Sequence, residues 1–586
     1  MNIKGREPFG YVVAIEGSKV TLNLKDTYKG QFAAHRDGVS AVTEINGLFG
    51  IDGGNRLLVL RIISLLFLEP KEAHKYTTQK HRLETEPLRQ VLAVVVGHIK
   101  QKSEGLNFMP DSLASPALGA EAFPLSDNEL LAVVQPNIDK DKSIIIGTDT
   151  RGFDSIKVNI NNILNLHTAV LGSTGQGKSC FIASMLQQMQ KFPKPRIVIF
   201  DINGEYENAL GNKNDSVKIT KIGGKEGYRI PYMALGRHGL SRLLMPSEKT
   251  QRPALTFAID NLNKVKCFDH KDGVGLSNSD SPIFFDDCRT AGDAKSAWDG
   301  IEELRNGQAE SVSKWPKMSA LSALVAESYS LKPDRNNSFT RDAFLYSNVS
   351  PLITRIKRLV DDPLFTSIVD INEKDFIGSN SQGSLAQEGS KVVNDIFGCQ
   401  DSDWSIHIIN LRDVAHDFMP LVLDALLELF AFELFNRGQE NGYPTLLVLE
   451  EAHHYLRKFV SDDEGRHQNL AYERLAKEGR KFGLSLLIST QRPSEMSSTV
   501  LSQCGTWVVF RLTSEQDLRT VSSASEWVDK LELNRIAGLP RQQALIFGSS
   551  FSVPIRVQIP NADPTPKSND PDFNKWFSDE NNSSGV

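Results

Sequence analysis

The chain has 586 residues, 40% apolar and 24% charged, the composition of an ordinary globular protein too long for a single hydrophobic core. A net charge of −6 excludes a uniformly basic nucleic-acid-coating surface, though not a locally basic ring or cleft, because a sum carries no distribution. The five cysteines show no C-x-x-C spacing, which argues against a zinc site or a disulfide framework and fits a reducing compartment. The first residues carry no apolar signal core, and runs such as Leu57-Leu58-Val59-Leu60 are soon broken by charge. A cytoplasmic protein with no membrane anchor is expected.

Residues 1–150 read as short strands. Gly10-Tyr11-Val12-Val13-Ala14-Ile15 and Val20-Thr21-Leu22-Asn23-Leu24 flank Glu16-Gly17-Ser18-Lys19, a hairpin signal. Apolar segments at 56–66, 92–99 and 130–134 follow, and Ser143-Ile144-Ile145-Ile146-Gly147 closes the set. The pattern predicts a small β-barrel, with an irregular surface loop over 105–119.

Residues 151–235 predict the first part of an α/β core. Thr168-Ala169-Val170 leads into Leu171-Gly172-Ser173-Thr174-Gly175-Gln176-Gly177-Lys178-Ser179-Cys180, and Phe181-Ile182-Ala183-Ser184-Met185-Leu186 follows. This is G-x-x-x-x-G-K-S between a short buried strand and an amphipathic helix. Its glycines let successive backbone N–H groups turn inward around phosphate oxygens, and the helix N-terminus adds positive charge. Lys178 is placed to reach the β- and γ-phosphates, and Ser179 to hold Mg²⁺, so the chain is expected to bind a nucleoside triphosphate. A second buried strand, Arg196-Ile197-Val198-Ile199-Phe200-Asp201, delivers Asn203-Gly204-Glu205-Tyr206 at its C-terminal edge. Two readings stand for Asp201 and Glu205: ordering water around the metal or contacting a neighbouring subunit, or a helix-capping Asp beside a surface Glu.

Residues 236–385 predict a mostly helical insertion, ending in Leu352-Ile353-Thr354-Arg355-Ile356-Lys357-Arg358-Leu359, whose apolar positions recur at helical spacing. Within it, 267–297 is acidic and loop-like, but it lacks the D-x-D-x-D-G spacing of a calcium loop. Residues 379–384 read as a linker back to the core.

Residues 386–559 predict the second part of the core. An alternating strand at 404–411 is followed by a long helix over 417–435, apolar almost all round and therefore buried. Thr445-Leu446-Leu447-Val448-Leu449 then delivers Glu450-Glu451. One carboxylate is needed for the metal and one for the water: Glu450 orders the Mg²⁺ hydration shell and Glu451 polarises the attacking water. His407, His416, His453 and His454 lack metal-ligand spacing and read as structural histidines or supports. The basic segment 475–483 ends a helix and carries Arg480, which either serves another subunit's nucleotide or complements the helix dipole. The strand 484–490 delivers Gln491, placed to sense the γ-phosphate or orient water. A strand at 507–513, a helix at 527–533 and a hairpin over 543–557 complete the core, and 560–586 is a polar tail with Phe573 and Trp576 as candidate anchors.

In order, the phosphate loop, Asn203-Gly204-Glu205-Tyr206, Leu449-Glu450-Glu451-Ala452-His453, Glu478-Gly479-Arg480-Lys481-Phe482-Gly483 and Ser489-Thr490-Gln491-Arg492-Pro493 resemble the HerA/FtsK branch of hexameric P-loop motors, specifically a HerA-type ATPase. The resemblance covers nearly the whole chain outside the acidic part of the insertion. It implies a RecA-like core with a helical-bundle insertion, an N-terminal barrel of the HerA–ATP-synthase kind, and a homo-hexameric ring working on double-stranded DNA with ATP and Mg²⁺. It places a trans arginine finger at Arg480 and the water-activating glutamate at Glu451. The commoner Asp of the metal-ordering position is Glu450 here, which keeps the charge and adds a methylene. Family members work with a partner nuclease in end resection, and bacterial relatives pair with nuclease-like or NAD-consuming effectors in antiphage defence, docking on the barrel. The expected function is an ATP-driven DNA translocase or helicase-like motor. A ring acting mainly as scaffold and regulator of an effector, or a protein-remodelling ATPase, are the alternatives. The chain shows no base-reading module, so phosphate contacts would dominate any DNA binding.

Overall fold

A computed structural model describes residues 6–25, 32–35, 38–41, 44–68, 88–102, 105–110, 114–135, 138–149, 155–211, 216–270, 273–278, 281–285, 291–309, 314–333, 339–376, 385–457, 471–525 and 530–567. The chain forms two compact units, one of residues 1–181 and 505–560, the other of 182–504 and 561–586.

In the first unit, six antiparallel strands close on themselves in the order Lys19–Leu24, Gly10–Glu16, Glu121–Pro124, Leu48–Asp52, Leu57–Leu68, Leu88–Lys102, the last pairing back to the first. Closure removes the unpaired edges of a small sheet, and inward residues such as Phe9, Val20, Leu22, Phe49, Ile51 and Val91 fill the barrel. The rings of Phe9 and Phe49 meet edge to face at 5.4 Å.

Three local expectations are corrected here. Residues 130–134 lie in a helix, Asp127–Val134, because Ser126 and Glu129 form a capping box that starts it. Gly105–Pro110 is a strand paired outside the barrel on Leu88–Lys102, not loop. Ser143–Asp149 pairs with Ile156–Asn159 and Ile555–Gln558 and takes no part in the barrel. Its sheet continues through Gln543–Gly548 and Cys504–Val509 to His167–Leu171, the fully buried strand that enters the phosphate loop.

The second unit is built on a parallel sheet in the order Leu484–Thr490, Thr445–Leu449, Ile197–Asp201, Ile406–Asn410, Val217–Lys221. Nearly all residues of its three middle strands are buried, as a sheet covered on both faces requires. Met419–Arg437 is the long apolar helix expected from the sequence. The insertion is mostly helical: Ala320–Ser330, buried on nearly every side, packs against Gln251–Asn261 and Ala343–Asp361. The acidic stretch expected to be loop instead holds three antiparallel strands, Lys266–His270, Gly273–Asn278 and Ser281–Phe285, then the helix Ala291–Arg305. The spaced apolar pair Val274 and Leu276 and the apolar run Ile283-Phe284-Phe285 give these segments strand character despite the surrounding charge. The linker at 379–384, the start of the helix expected at 527–533, and Phe573 and Trp576 lie outside the described residues.

No described helix is long and apolar enough to cross a membrane. The α/β architecture with an N-terminal barrel and a helix-rich insertion is therefore as the sequence predicts.

Candidate nucleotide-binding and carboxylate sites

The phosphate loop belongs to the first unit. Strand His167–Leu171 ends at Gly172, where a Cβ would stand 2.5 Å from the Cβ of Phe510, so only glycine lets the loop leave the strand this close to the next one. Gly177, at φ +113°, is the last residue before the helix Lys178–Met189. Two backbone contacts brace the loop: the Ser173 N–H donates to the Arg511 carbonyl at 2.9 Å, and the Gln542 N–H to the Gln176 carbonyl at 3.0 Å. Arg511 lies just past Cys504–Val509 and serves the loop through its main chain.

Lys178 is only 6% exposed, and its ammonium donates to the carbonyls of Gly172 (2.8 Å) and Ser173 (3.2 Å), which curls the loop around it. Ser179 and Cys180 occupy the first turn of the helix, and the Cys180 thiol lies 3.7 Å from the Pro560 carbonyl. Phe181 packs edge to face on Phe510. Gly172, Ser173, Thr174, Gly175, Gln176 and Gly177 thus form the concave backbone turn, with a helix N-terminus behind it, that a phosphate chain requires.

The carboxylate cluster belongs to the second unit. The register Leu449↔Ile488 and Phe200↔Leu449 brings Glu450-Glu451, Gln491 and Asp201 to one edge of the parallel sheet, the C-terminal edge where ligands bind in such sheets. Glu450 (5% exposed) and Glu451 (7%) are both buried. The Tyr206 hydroxyl donates to Glu450 Oε1, and the Tyr455 hydroxyl to the Glu450 main-chain carbonyl at 3.1 Å. The Gln491 amide donates to Glu451 Oε1. His453 Nδ1 lies 3.4 Å from Glu451 Oε2 and 3.1 Å from the Thr490 hydroxyl.

Glu451 adopts a left-handed backbone conformation (φ 43°, ψ 45°), which costs a non-glycine residue on the order of 1–3 kcal/mol. Such strain is characteristic of functional positions, where it aims a side chain that regular structure would point elsewhere. Burial pushes His453 below the usual histidine range against the opposing pull of Glu451, and burial with two neighbouring histidines pushes His454 down to about 4.

The two readings of Asp201 resolve in favour of the cap. Its carboxylate accepts the N–H groups of Gly204 (2.9 Å), Glu205 (3.0 Å) and Tyr206 (3.0 Å) ahead of the short helix Tyr206–Leu210. Burial raises its pKa, and those three bonds oppose the shift. Arg480 sits in a single 3₁₀ turn, Gly479–Phe482, between the helix Ala471–Glu478 and the strand Leu484–Thr490. Its side chain is exposed and forms no hydrogen bond or ion pair with any described residue.

Tyr206 and Thr490 are the residues that sequence reasoning left without a role. Tyr206 stood inside a recognised motif, but only the fold brings its hydroxyl to a carboxylate 244 positions away. Among the described residues, no group of three or more His, Cys, Asp and Glu side chains makes a metal cage.

Residues 144–362 match the family model described as the central domain of the helicase HerA. The chain is 25% identical over 445 residues to a probable helicase of Methanocaldococcus jannaschii, covering 75% of this chain and 74% of that protein. It is 24% identical over 496 residues to the DNA double-strand break repair helicase HerA of Pyrococcus furiosus, covering 80% and 78%. Among solved structures, VirB4 of Thermoanaerobacter pseudethanolicus aligns over 73% of this chain and 98% of that one, at 17% identity and a TM-score of 0.45. The chain is thus similar to HerA-type helicases over most of its length, and its residues 144–362, which hold the phosphate loop, match the central domain of that family.

Proposed function

We propose that the protein is an ATP-driven translocase of double-stranded DNA that works as a homo-hexameric ring. The observation that carries this reading is the phosphate loop curled around the buried Lys178 ammonium. The glycine-lined turn binds the triphosphate and Lys178 neutralises the β- and γ-phosphates; Ser179 and Glu450 are the residues that would hold Mg²⁺, which when bound would supply Lewis-acid stabilisation of the phosphoryl oxygens. Glu451 accepts the proton of the attacking water, and Gln491 holds the Glu451 carboxylate in place. Arg480, exposed and unengaged among the described residues, extends to the γ-phosphate bound by a neighbouring subunit. The names of the relatives, DNA-repair helicases, support DNA as the substrate.

The domain limits follow the same reading: an N-terminal barrel domain over 1–150, whose last strand, Ser143–Asp149, already belongs to the core sheet, a core over 151–235 and 386–559 interrupted by the insertion 236–385, and a tail from 560. Leu65, Leu66 and Phe67 (64% exposed) lie at the end of a barrel strand and suit docking of a partner nuclease or an NAD-consuming effector. The ring acts in the cytoplasm.

The test is steady-state ATP hydrolysis with and without duplex DNA at two salt concentrations. Stimulation by duplex of any sequence that fades as salt rises is expected, because counterion release drives phosphate contacts. Lys178→Ala should abolish turnover while keeping the fold. A hydrolysis rate indifferent to DNA would favour an effector scaffold or a protein-remodelling ATPase.

A further inference from the structure

We propose that Tyr206 is a positioning residue for Glu450: its hydroxyl sets the orientation of the carboxylate that receives Mg²⁺. This inference rests on the reading of Glu450 given above.

Three observations carry it. First, Tyr206 is 1% exposed, so its ring has no alternative place to go, and the hydroxyl meets Glu450 Oε1. Second, the turn that presents Tyr206 is fixed at both ends. Asp201 takes three successive N–H groups, including that of Tyr206 itself. The segment 561–567 lies along the same turn, the Lys567 N–H donating to the Glu205 carbonyl and the Asn208 amide to the Thr565 carbonyl, each at 3.0 Å. Third, Tyr455 holds the main chain of Glu450 from another element, so backbone and side chain are tied independently.

An ionised carboxylate only accepts, so the phenol is the donor in this bond. Partners of this kind orient ligating carboxylates, and their loss costs about 10–100-fold in metal affinity or activity. The chain therefore carries its metal-site acid and the tyrosine that aims it as a pair.

The experiment uses the full chain. Binding of a fluorescent ATP analogue is titrated with Mg²⁺, beside a parallel titration in EDTA, for wild type, Tyr206→Phe, Glu450→Gln and the double variant. Tyr206→Phe should raise the Mg²⁺ concentration at half-saturation about 10-fold, leave metal-free nucleotide affinity unchanged, and add nothing to Glu450→Gln. A wild-type Mg²⁺ requirement in folded Tyr206→Phe overturns the inference, and so does an equal loss of metal-free binding, which marks a merely structural role. If Glu450→Gln itself keeps the wild-type requirement, the reading of Glu450 falls first and the inference with it. Should Tyr206→Phe fail to fold, Glu450→Asp decides, since its shorter side chain withdraws the carboxylate from the hydroxyl. The same 10-fold rise is then expected, and an unchanged requirement overturns the proposal.

Discussion

The Gln491 side-chain amide donates to one oxygen of the Glu451 carboxylate, joining the ends of two neighbouring parallel strands. This bond occupies one carboxylate oxygen and leaves the other facing His453. Glu451→Gln should retain ATP yet hydrolyse it at least about 100-fold more slowly, because an amide does not accept the water's proton. Gln491→Ala should slow turnover less and leave nucleotide affinity intact. Single-turnover hydrolysis and nucleotide binding measured on the same preparations separate these effects. Normal hydrolysis by Glu451→Gln with loss in Glu450→Gln would exchange the two roles.

The close approach at Gly172 gives a packing prediction. A methyl group there meets Phe510 Cβ at 2.5 Å, so Gly172→Ala should destabilise the fold by about 1–3 kcal/mol and weaken nucleotide binding by displacing the loop. Gly538, whose nearest neighbour to a built Cβ is 3.7 Å away, serves as the control. Thermal melts with and without ATP read both effects, and a Gly172→Ala protein that binds ATP normally would contradict the account of the loop.

Arg480 carries the prediction about assembly. If it completes a neighbour's site, Arg480→Ala should bind ATP and lose about 1,000-fold or more in turnover. Mixing it with Lys178→Ala should restore part of the activity, since some interfaces then pair an intact loop with an intact arginine. Co-purification of differently tagged chains must first establish mixed assembly. Mixed rings no more active than either variant would place Arg480 outside the neighbour's site, provided that wild-type chains titrated into each variant show that a ring works with some sites disabled.

His407 sets a pH dependence of stability. Its Nδ1 lies 2.8 Å from the Ile396 carbonyl and its Nε2 2.7 Å from the Thr220 hydroxyl, and burial, with Lys218 nearby, pushes its pKa down to about 3. The unfolded chain takes up a proton near pH 6.5 and the folded chain does not, so folded stability falls as pH drops from about 6.5 toward 3. Denaturant midpoints across this range should decline more steeply for wild type than for His407→Gln, which starts lower but has no such proton to exclude. Parallel slopes would remove His407 from the account.

The chemistry of the chain was legible wherever one short segment carries its own context. The phosphate loop needs only a strand, a glycine-rich turn and a helix start, all within residues 168–189, so local spacing determines it. The same holds for strand-borne Glu450-Glu451 and for Gln491, because apolar runs of five to seven residues mark buried parallel strands. Closure of the barrel was also readable, through alternation and hairpin signals. Local signals misled where a weak rule met a stronger one: the capping box at Ser126 made a helix of an apolar run, and short apolar segments made strands of an acidic stretch.

Tertiary structure alone decided what depends on distance along the chain. Asp201 and Glu450 are both acids at the ends of buried strands, and nothing local separates them. Folding gives Asp201 three N–H groups of its own turn and leaves Glu450 facing a tyrosine hydroxyl from 244 positions earlier. The left-handed backbone of Glu451 is likewise invisible in its residue type, since strain of that kind persists only when surrounding packing over-determines it. Sequence by itself determined which groups the chain owns. Which of them cap, which orient and which remain available for chemistry was settled by parallel register and burial, because hydrogen-bond partners are assigned in space and not along the chain.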